Sequence, residues 1–275
     1  MDRDGVGGGA APEYALGWLS PLQQCAGLLA SYKQYDRHDL YRDFPAFRRM
    51  FLAPLRLALL GRWTPSLGDS GQTGKPERIG WDLDLFLEAF RRFGDPRLAR
   101  AAWEMNGRTV EGLHTSLFDP EPEAVQEQVS NALGDGEGTF QSYNLGGYGL
   151  ACLQAGAVES GRALWLYYGR NSGHGHRDRL NLGLYAHGLD LLPDLGYPEF
   201  VGPWPQRIGW TSHTVSHNTV MVDRQPQQRN WTGHPTLFKA LPGVSVVEVE
   251  SEEVYPQCTM YRRQSALIDI DAANS

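Results

Sequence analysis

The chain has 275 residues, 41% of them hydrophobic and 21% charged, with a formal net charge of -7. That length buries one large core or two ordinary ones, and the acidic balance argues against nucleic acid or another polyanion as a general electrostatic partner. No apolar run approaches the roughly 20 residues of a membrane span, and Cys25, Cys152 and Cys258 stand too far apart for a thiolate metal knuckle or a disulfide framework, so free, partly buried thiols are expected.

In chain order, the opening residues lack the basic and apolar regions of a secretory signal. Their glycine run, Gly7 to Gly9, leads straight into a helical pattern as an interior loop would. Residues 13 to 118 read as helices. Trp18, Leu22, Cys25, Leu28 and Leu29 fall at helical spacing, as do Phe47, Phe51, Leu55 and Leu59, and then Leu83, Phe86, Leu87, Phe90 and Phe93. Gly61, Pro65, Gly68, Gly71, Gly74 and Pro76 separate the second group from the third. Gly94-Asp95-Pro96 closes one helix and opens another. Successive helices joined by such loops predict a bundle or toroid.

A loop rich in Pro, Glu and Asp from Asp119 to Gly138 marks a change of regime, after which the apolar period becomes two. Strands are expected within Phe140 to Gln154, over Arg162 to Tyr168, and as a hairpin of Leu180 to Tyr185 with Leu189 to Leu192 around His187-Gly188. Further strands are expected at Asn218 to Val222, Val244 to Val249 and Met260 to Asp271. Many strands without intervening helices predict an antiparallel β-sandwich. The expected fold class is therefore α+β and multidomain, with a helical domain over 1–125 and a β-sandwich over 126–275. The abrupt start and finish lead us to expect a piece of a longer chain.

The chemistry concentrates between Tyr168 and Asp194. In an extended backbone His174, His176 and Asp178 project from one face, and Ser212 to Val220 brings His213 and His217 as further candidates. His176, Asp194 and His217 form one metal-binding set, since two imidazoles and a carboxylate are what zinc takes when thiolates are absent. Histidines in a sheet are equally read as simple hydrogen-bonding groups. Glycine on both sides of His174, and before His176, permits close backbone approach. Asp178 is placed either to orient an imidazole or to pair with Arg177 or Arg179. Tyr14, in the first turn of an amphipathic helix, reads equally as a core aromatic. Tyr143, Tyr148, Trp204, Trp210 and Trp231 suit stacking on sugar rings or anchoring in a core, and Trp210 ranks first because its loop leads into His217.

The run Ser172-Gly173-His174-Gly175-His176-Arg177-Asp178-Arg179-Leu180-Asn181 is followed by Leu191-Leu192-Pro193-Asp194-Leu195-Gly196-Tyr197 and Ser216-His217-Asn218-Thr219-Val220-Met221-Val222-Asp223. Together these resemble the sheet domain of the heparinase II/III-like polysaccharide lyases. Asp4-Gly5 with Ala11-Pro12-Glu13-Tyr14, and Leu67-Gly68-Asp69-Ser70, extend the resemblance upstream.

The resemblance implies a partial (α/α) helical toroid followed by the sandwich, and cleavage of uronate-containing acidic polysaccharide, of glycosaminoglycan or alginate type, by β-elimination. It implies Tyr14 as base and acid, His174 as partner in proton transfer, and His176, Asp194 and His217 as ligands of a structural zinc. With it go Arg170, Arg177, Arg179 and Arg207 near the cleft for substrate carboxylates or sulfates, Trp210 for stacking, and a periplasmic or secreted location. The alternative is a non-catalytic carbohydrate-binding or structural remnant of the same fold. A metal-dependent hydrolase is a third reading.

Overall fold

A computed structural model describes residues 2–73, 77–114, 121–134, 140–156, 160–198 and 205–270. Trp204, Gly74, Pro76 and Asp271, and residues 119–120 and 135–138 of the expected 119–138 loop, lie outside the described residues; the rest of that stretch is mostly helix, Pro122–Leu133, rather than loop. The helices are α1 (Pro12–Leu16), α2 (Leu19–Ser31), α3 (Leu40–Asp43), α4 (Pro45–Leu57), α5 (Leu83–Phe93), α6 (Pro96–Met105) and α7 (Pro122–Leu133). The strands are β1 (Tyr143–Leu145), β2 (Leu150–Ala155), β3 (Arg162–Tyr167), β4 (Asn181–Ala186), β5 (Leu189–Asp190), β6 (His234–Leu241), β7 (Val244–Glu250) and β8 (Arg262–Ile268). Helices with two antiparallel sheets make the class α+β, as the sequence predicts. Among the described residues no helix is long and apolar enough to cross a membrane.

Two compact units are interleaved along the chain, one of residues 16–56 and 80–138 and one of residues 1–15, 57–79 and 139–275. Residues 1–15 and 57–79, which precede the 125/126 boundary drawn from sequence, thus belong with the sheets.

In the helical unit, α5 starts where the Asp82 carboxylate accepts the Leu85 N–H at 2.8 Å and stops at Gly94 in the left-handed conformation. Its apolar side buries Leu85, Phe86, Leu87, Ala89 and Phe90. Asp95 caps α6, which buries Leu98, Ala99, Ala101 and Ala102. Tyr41, Phe47, Phe51 and Phe93 form an aromatic cluster, with Phe47 edge-on to Phe51 at 5.0 Å. The face predicted for α2 is corrected: Trp18, Leu22, Cys25 and Leu28 are exposed, and within the helix Leu19 and Ala26 are the buried residues. Of the thiols, Cys152 is buried and Cys258 partly so.

The sheet unit holds a five-stranded meander in the order β1-β2-β3-β4-β5 and a three-stranded one, β6-β7-β8. Their inner faces share a core of Leu153, Leu166, Tyr168, Val247, Val249 and Tyr255, the face-to-face packing of a sandwich. Register follows the alternation: in β7, Ser245, Val247 and Val249 are buried and their neighbours half-buried. Gly183 pairs with Trp165, and a Cβ there would stand 2.0 Å from the indole. Strand β6, which the sequence reading did not place, pairs along β7 with a register shift between Pro235 and Leu237.

Asn218 to Val222 is not a strand. Its backbone is held instead by side chains, the Asn218 N–H donating to Asn181 Oδ1 at 3.0 Å and the Thr219 hydroxyl to the Arg179 carbonyl, before Asp223 and Arg224 turn at positive φ. Only an isolated bridge, Val222 to Gln225, pairs there.

The early segments are tied into this unit by buried polar contacts. The Asp4 carboxylate accepts the N–H groups of Gly147 and Tyr148, at 2.6 and 3.2 Å, and the Tyr148 hydroxyl donates to the Ala10 carbonyl. Leu60 N–H donates to Gln154 Oε1 at 2.6 Å, and Trp63 stacks on Tyr185 at 4.8 Å.

Candidate active site and metal centre

The stretch from Asn171 to Leu180 is an irregular loop rather than a strand, so His174, His176 and Asp178 do not project from one strand face as expected. Three close backbone approaches shape it. Gly68, at φ +58, lies where a Cβ would meet the His174 carbonyl at 2.4 Å, and Gly175 where one would meet the Arg170 carbonyl at 2.5 Å. Asp69 N–H donates to the His174 carbonyl at 2.8 Å. Next to it Ser70 Oγ accepts the Glu13 N–H at 2.6 Å and so fixes the start of α1. The Leu67-Gly68-Asp69-Ser70 turn therefore clamps the histidine loop and α1 together.

Asp69 is the centre of that clamp. Only 6% exposed, it meets His174 Nδ1 and His176 Nε2 at 3.1 Å each, Arg207 Nε at 3.0 Å, and the Arg207 Nη2 as well. Burial disfavours its charge, but hydrogen bonds from His176, Arg207 and His174 override this and hold the carboxyl at about 2. An ionised carboxylate only accepts, so both imidazoles present N–H to it. His174 then keeps Nε2, and His176 keeps Nδ1, for another partner.

His174 uses its remaining surface outward. Its side chain is 50% exposed and its ring lies flat on Tyr14, centroids 3.5 Å apart and planes within 7°. Tyr14 is itself 45% exposed, so it is not the core aromatic that helical spacing alone would permit. Two proton-carrying side chains share one accessible surface.

His176 turns inward, wholly buried, and meets His217 and Asp194. One donor atom from each of the three lies within 4.8 Å of the others, and the His217 Nδ1 is 2.8 Å from Asp194 Oδ2. Asn181 Nδ2 and the Gly196 N–H also donate to Asp194, at 2.5 and 2.9 Å. The 3₁₀ turn Thr214–Ser216 delivers His217.

Burial opposes charge on the His217 ring, yet the Asp194 charge and hydrogen bond push it up to about 9 and hold Asp194 low. His176 Nδ1 and His217 Nε2 are buried with no hydrogen-bond partner, and so are both oxygens of Asp178. Burial, with the Asp194 charge behind it, raises Asp178 to about 6 against the pull of His217. Two unpartnered ring nitrogens beside two buried carboxylates fit a bound cation, since each orphan costs about 1–3 kcal/mol. The donor set, two imidazoles and a carboxylate without thiolate, suits zinc. Asp178 hydrogen-bonds neither imidazole through its side chain, contrary to its expected orienting role.

The remaining expected residues are dispersed. Arg170 is half-buried and donates to Ser172 Oγ and the Gly8 carbonyl. Arg177 is half-buried, its backbone joined to Ser212 and Thr214. Trp210, 52% exposed, sits in the single π-helical turn Arg207–Thr211. Two arginines do not answer their expected role: Arg179 is fully buried and donates to Ser251 Oγ, and Arg207 is committed to Asp69. Asp69 itself was not singled out by the sequence; its place in the Leu67-Gly68-Asp69-Ser70 stretch was the available signal.

Residues 163–267 match the family described as Heparinase II/III-like, C-terminal. An alginate lyase of Stenotrophomonas maltophilia (strain K279a) is 29% identical over 110 residues, which are 34% of this chain and 15% of that protein. Among solved structures, the heparan sulfate lyase HepC from Pedobacter heparinus aligns with a TM-score of 0.65 at 16% identity, over 97% of this chain and 37% of that one. A heparinase III aligns with a TM-score of 0.61 at 14% identity, over 96% and 38%. These structural likenesses are likenesses of fold, and the chain spans well under half the length of each relative. The sheet region, residues 163–267, is thus what this chain shares in sequence with the heparinase II/III-like family.

Proposed function

We propose that this chain is part of a polysaccharide lyase that cleaves uronate-containing acidic polysaccharide by β-elimination, with Tyr14 and His174 as the proton-transfer pair. The observation that carries the reading is the flat, accessible stack of Tyr14 on His174, with the His174 Nδ1 engaged by buried Asp69. The family match over residues 163–267 supports it at the level of reaction class, and the similar proteins bear the names alginate lyase, heparan sulfate lyase and heparinase III.

Elimination breaks the C5–H bond, forms a C4–C5 double bond and expels O4, which takes up a proton. It therefore needs one group to remove a proton and one to give a proton. The Tyr14 hydroxyl carries a proton that it can give to O4, and a neighbouring group is needed to act as the base. His174, whose Nδ1 is turned to Asp69 and whose Nε2 is left for the substrate, is that neighbour. Arg170 and Arg177 are assigned to the substrate carboxylate, whose neutralisation acidifies C5–H, and Trp210 to stacking on the chain.

His176, Asp194 and His217 are assigned to zinc. Once bound, zinc supplies positive charge that satisfies the buried ligands and fixes the loop carrying His174, a structural role. Substrates of this kind are polymers met outside the cytoplasm, and a periplasmic or secreted location goes with the reading.

The test is to incubate the protein with alginate, hyaluronan, heparan sulfate and chondroitin and follow the ultraviolet absorbance of the unsaturated product. A rise on one polymer, lost in Tyr14→Phe, supports the lyase. Polymer binding with no absorbance from wild type would favour the non-catalytic carbohydrate-binding alternative.

A further inference from the structure

Behind Tyr14 lies a feature that neither the proton-transfer pair nor the metal set uses. A cavity of about 330 Å³ opens in the sheet unit, lined among others by Asp2, Gly7, Gly8, Gly9, Arg170 and Trp231. Ligand pockets run from about 300 to 1,000 Å³, so this one suits a sugar unit rather than a polypeptide. We propose that it is a binding subsite for one anionic sugar residue of the polymer, with Trp231 as the platform, Arg170 as the anion contact and Gly8 as the open wall.

The glycine run has two faces. A Cβ on Gly7 would stand 2.3 Å from the Ala15 carbonyl oxygen, and one on Gly9 would stand 2.9 Å from Ala15 N and 3.2 Å from Tyr14 Cβ. Those two glycines let the strand of backbone lie against α1, and Gly9 places the cavity wall directly against the residue assigned to proton transfer. Gly8 between them is different. A Cβ there meets nothing within 4 Å, so backbone packing does not require glycine at this position, and its bareness leaves room in the cavity.

Among the residues lining the cavity with the glycines, Trp231 is 59% exposed. The Arg170 guanidinium lies 4.4 Å from its ring centroid. That guanidinium is aimed by two contacts, Nε to Ser172 Oγ at 3.1 Å and Nη1 to the Gly8 carbonyl at 3.0 Å. Its Nη2 has no hydrogen-bond partner among the described residues, leaving planar donors for a carboxylate or sulfate.

Asp2 adds a carboxylate whose Oδ1 accepts the Asp4 and Val6 N–H groups, at 2.8 and 3.1 Å. Its other oxygen suits the hydroxyls of the same ring. An aromatic platform, one cation for an acid group and acceptors for hydroxyls together describe a uronate or sulfated sugar. Trp210, favoured for stacking from the sequence, does not line this cavity.

The nature of the polymer rests on the lyase reading, but the subsite is tested by binding alone. Calorimetric titration of the 275-residue chain would use tetrasaccharides of mannuronate, guluronate and hyaluronan, each beside its carboxyl-reduced, neutral counterpart. The variants are Gly8→Trp, which fills the cavity without meeting the backbone, Trp231→Ala, Arg170→Ala, and Gly8→Ser as a small control.

At least one acidic tetrasaccharide is expected to bind wild type and Gly8→Ser alike. Its affinity should fall tenfold or more in Gly8→Trp and Trp231→Ala, with unfolding temperatures unchanged. Arg170→Ala should bind the acidic and reduced forms equally. Undiminished binding by Gly8→Trp, or no binding of any tetrasaccharide by wild type, overturns the subsite. Binding that obeys these variants while no polymer gives unsaturated product would overturn the lyase reading and leave the subsite standing.

Discussion

Tyr14 and His174 lie face to face at 3.5 Å, although 160 positions separate them in the sequence. Their meeting depends on the Asp69 turn, which holds the histidine loop by the Asp69 N–H and side chain and holds α1 by Ser70. A Tyr14→Phe change deletes the hydroxyl and keeps the stack, and His174→Ala removes a half-exposed ring. Each is expected to lower turnover by roughly 10²–10⁴-fold with little change in thermal unfolding, measured as initial rates beside a melting curve.

Asp69→Ala should behave differently. It leaves His174, His176 and Arg207 without their shared acceptor, and removal of one partner from a buried charged set costs about 3–5 kcal/mol. Denaturant unfolding should show that loss. Because Asp69 orients a proposed ligand, metal affinity should fall about 10–100-fold as well, read by competition with a chromophoric chelator. Unaltered metal affinity in a folded Asp69→Asn protein would remove Asp69 from the metal centre.

The metal set gives a pH dependence with a definite sign. In metal-free protein the His217 ring is raised to about 9 by Asp194, above its unfolded value near 6.5. The stabilisation this contributes is complete below about pH 6.5 and is lost as pH rises through about 9. Metal must displace that proton, so metal affinity should rise over the same range. The melting temperature of chelator-treated protein should therefore fall between pH 6.5 and 9, while the increment restored by zinc grows. His217→Ala should abolish both trends.

In the helical unit, Asp95 caps α6 and is paired to Arg97 at 2.7 Å and Arg48 at 3.1 Å. Hydrogen bonds from Arg97, and then from Arg48, outweigh burial and lower the carboxyl from 3.8 to about 2. A depressed carboxylate stabilises above its unfolded value, and that stability disappears as pH falls from about 4 through 2. Asp95→Ala should cost about 1–2 kcal/mol at pH 7, and markedly less near pH 2, measured by urea unfolding at both pH values.

Much of the scaffold could be read from periodicity, because α5, α6 and β7 bury their apolar residues at the spacing the sequence displays. Strand β6 was hidden by its own exposure: His234 to Leu241 has no buried residue, so it shows no alternation, and its Pro235 falls at a register shift. Helix α2 misled in the opposite sense, since its apolar residues face outward within the described residues.

At the site, His176, Asp194 and His217 could be named because their residue types suit a metal, but the convergence itself comes from Asn181, Gly196 and the 3₁₀ turn. Asp69 carried no spacing signal. Its function arises from contacts more than 100 positions away, which a linear pattern does not record. Trp231 was ranked below Trp210 on loop proximity alone, and the glycine wall that gives it a cavity became visible once residues 1–15 were placed with the sheets.

The most direct measurement for the central claim is the mass and absorbance of the products formed from a uronate polymer. Elimination by the Tyr14–His174 pair predicts oligosaccharides whose new non-reducing ends are unsaturated and lack one water relative to hydrolysis products, absent with Tyr14→Phe. Saturated products of full hydrolytic mass, or unsaturated products undiminished in Tyr14→Phe and His174→Ala, would contradict it.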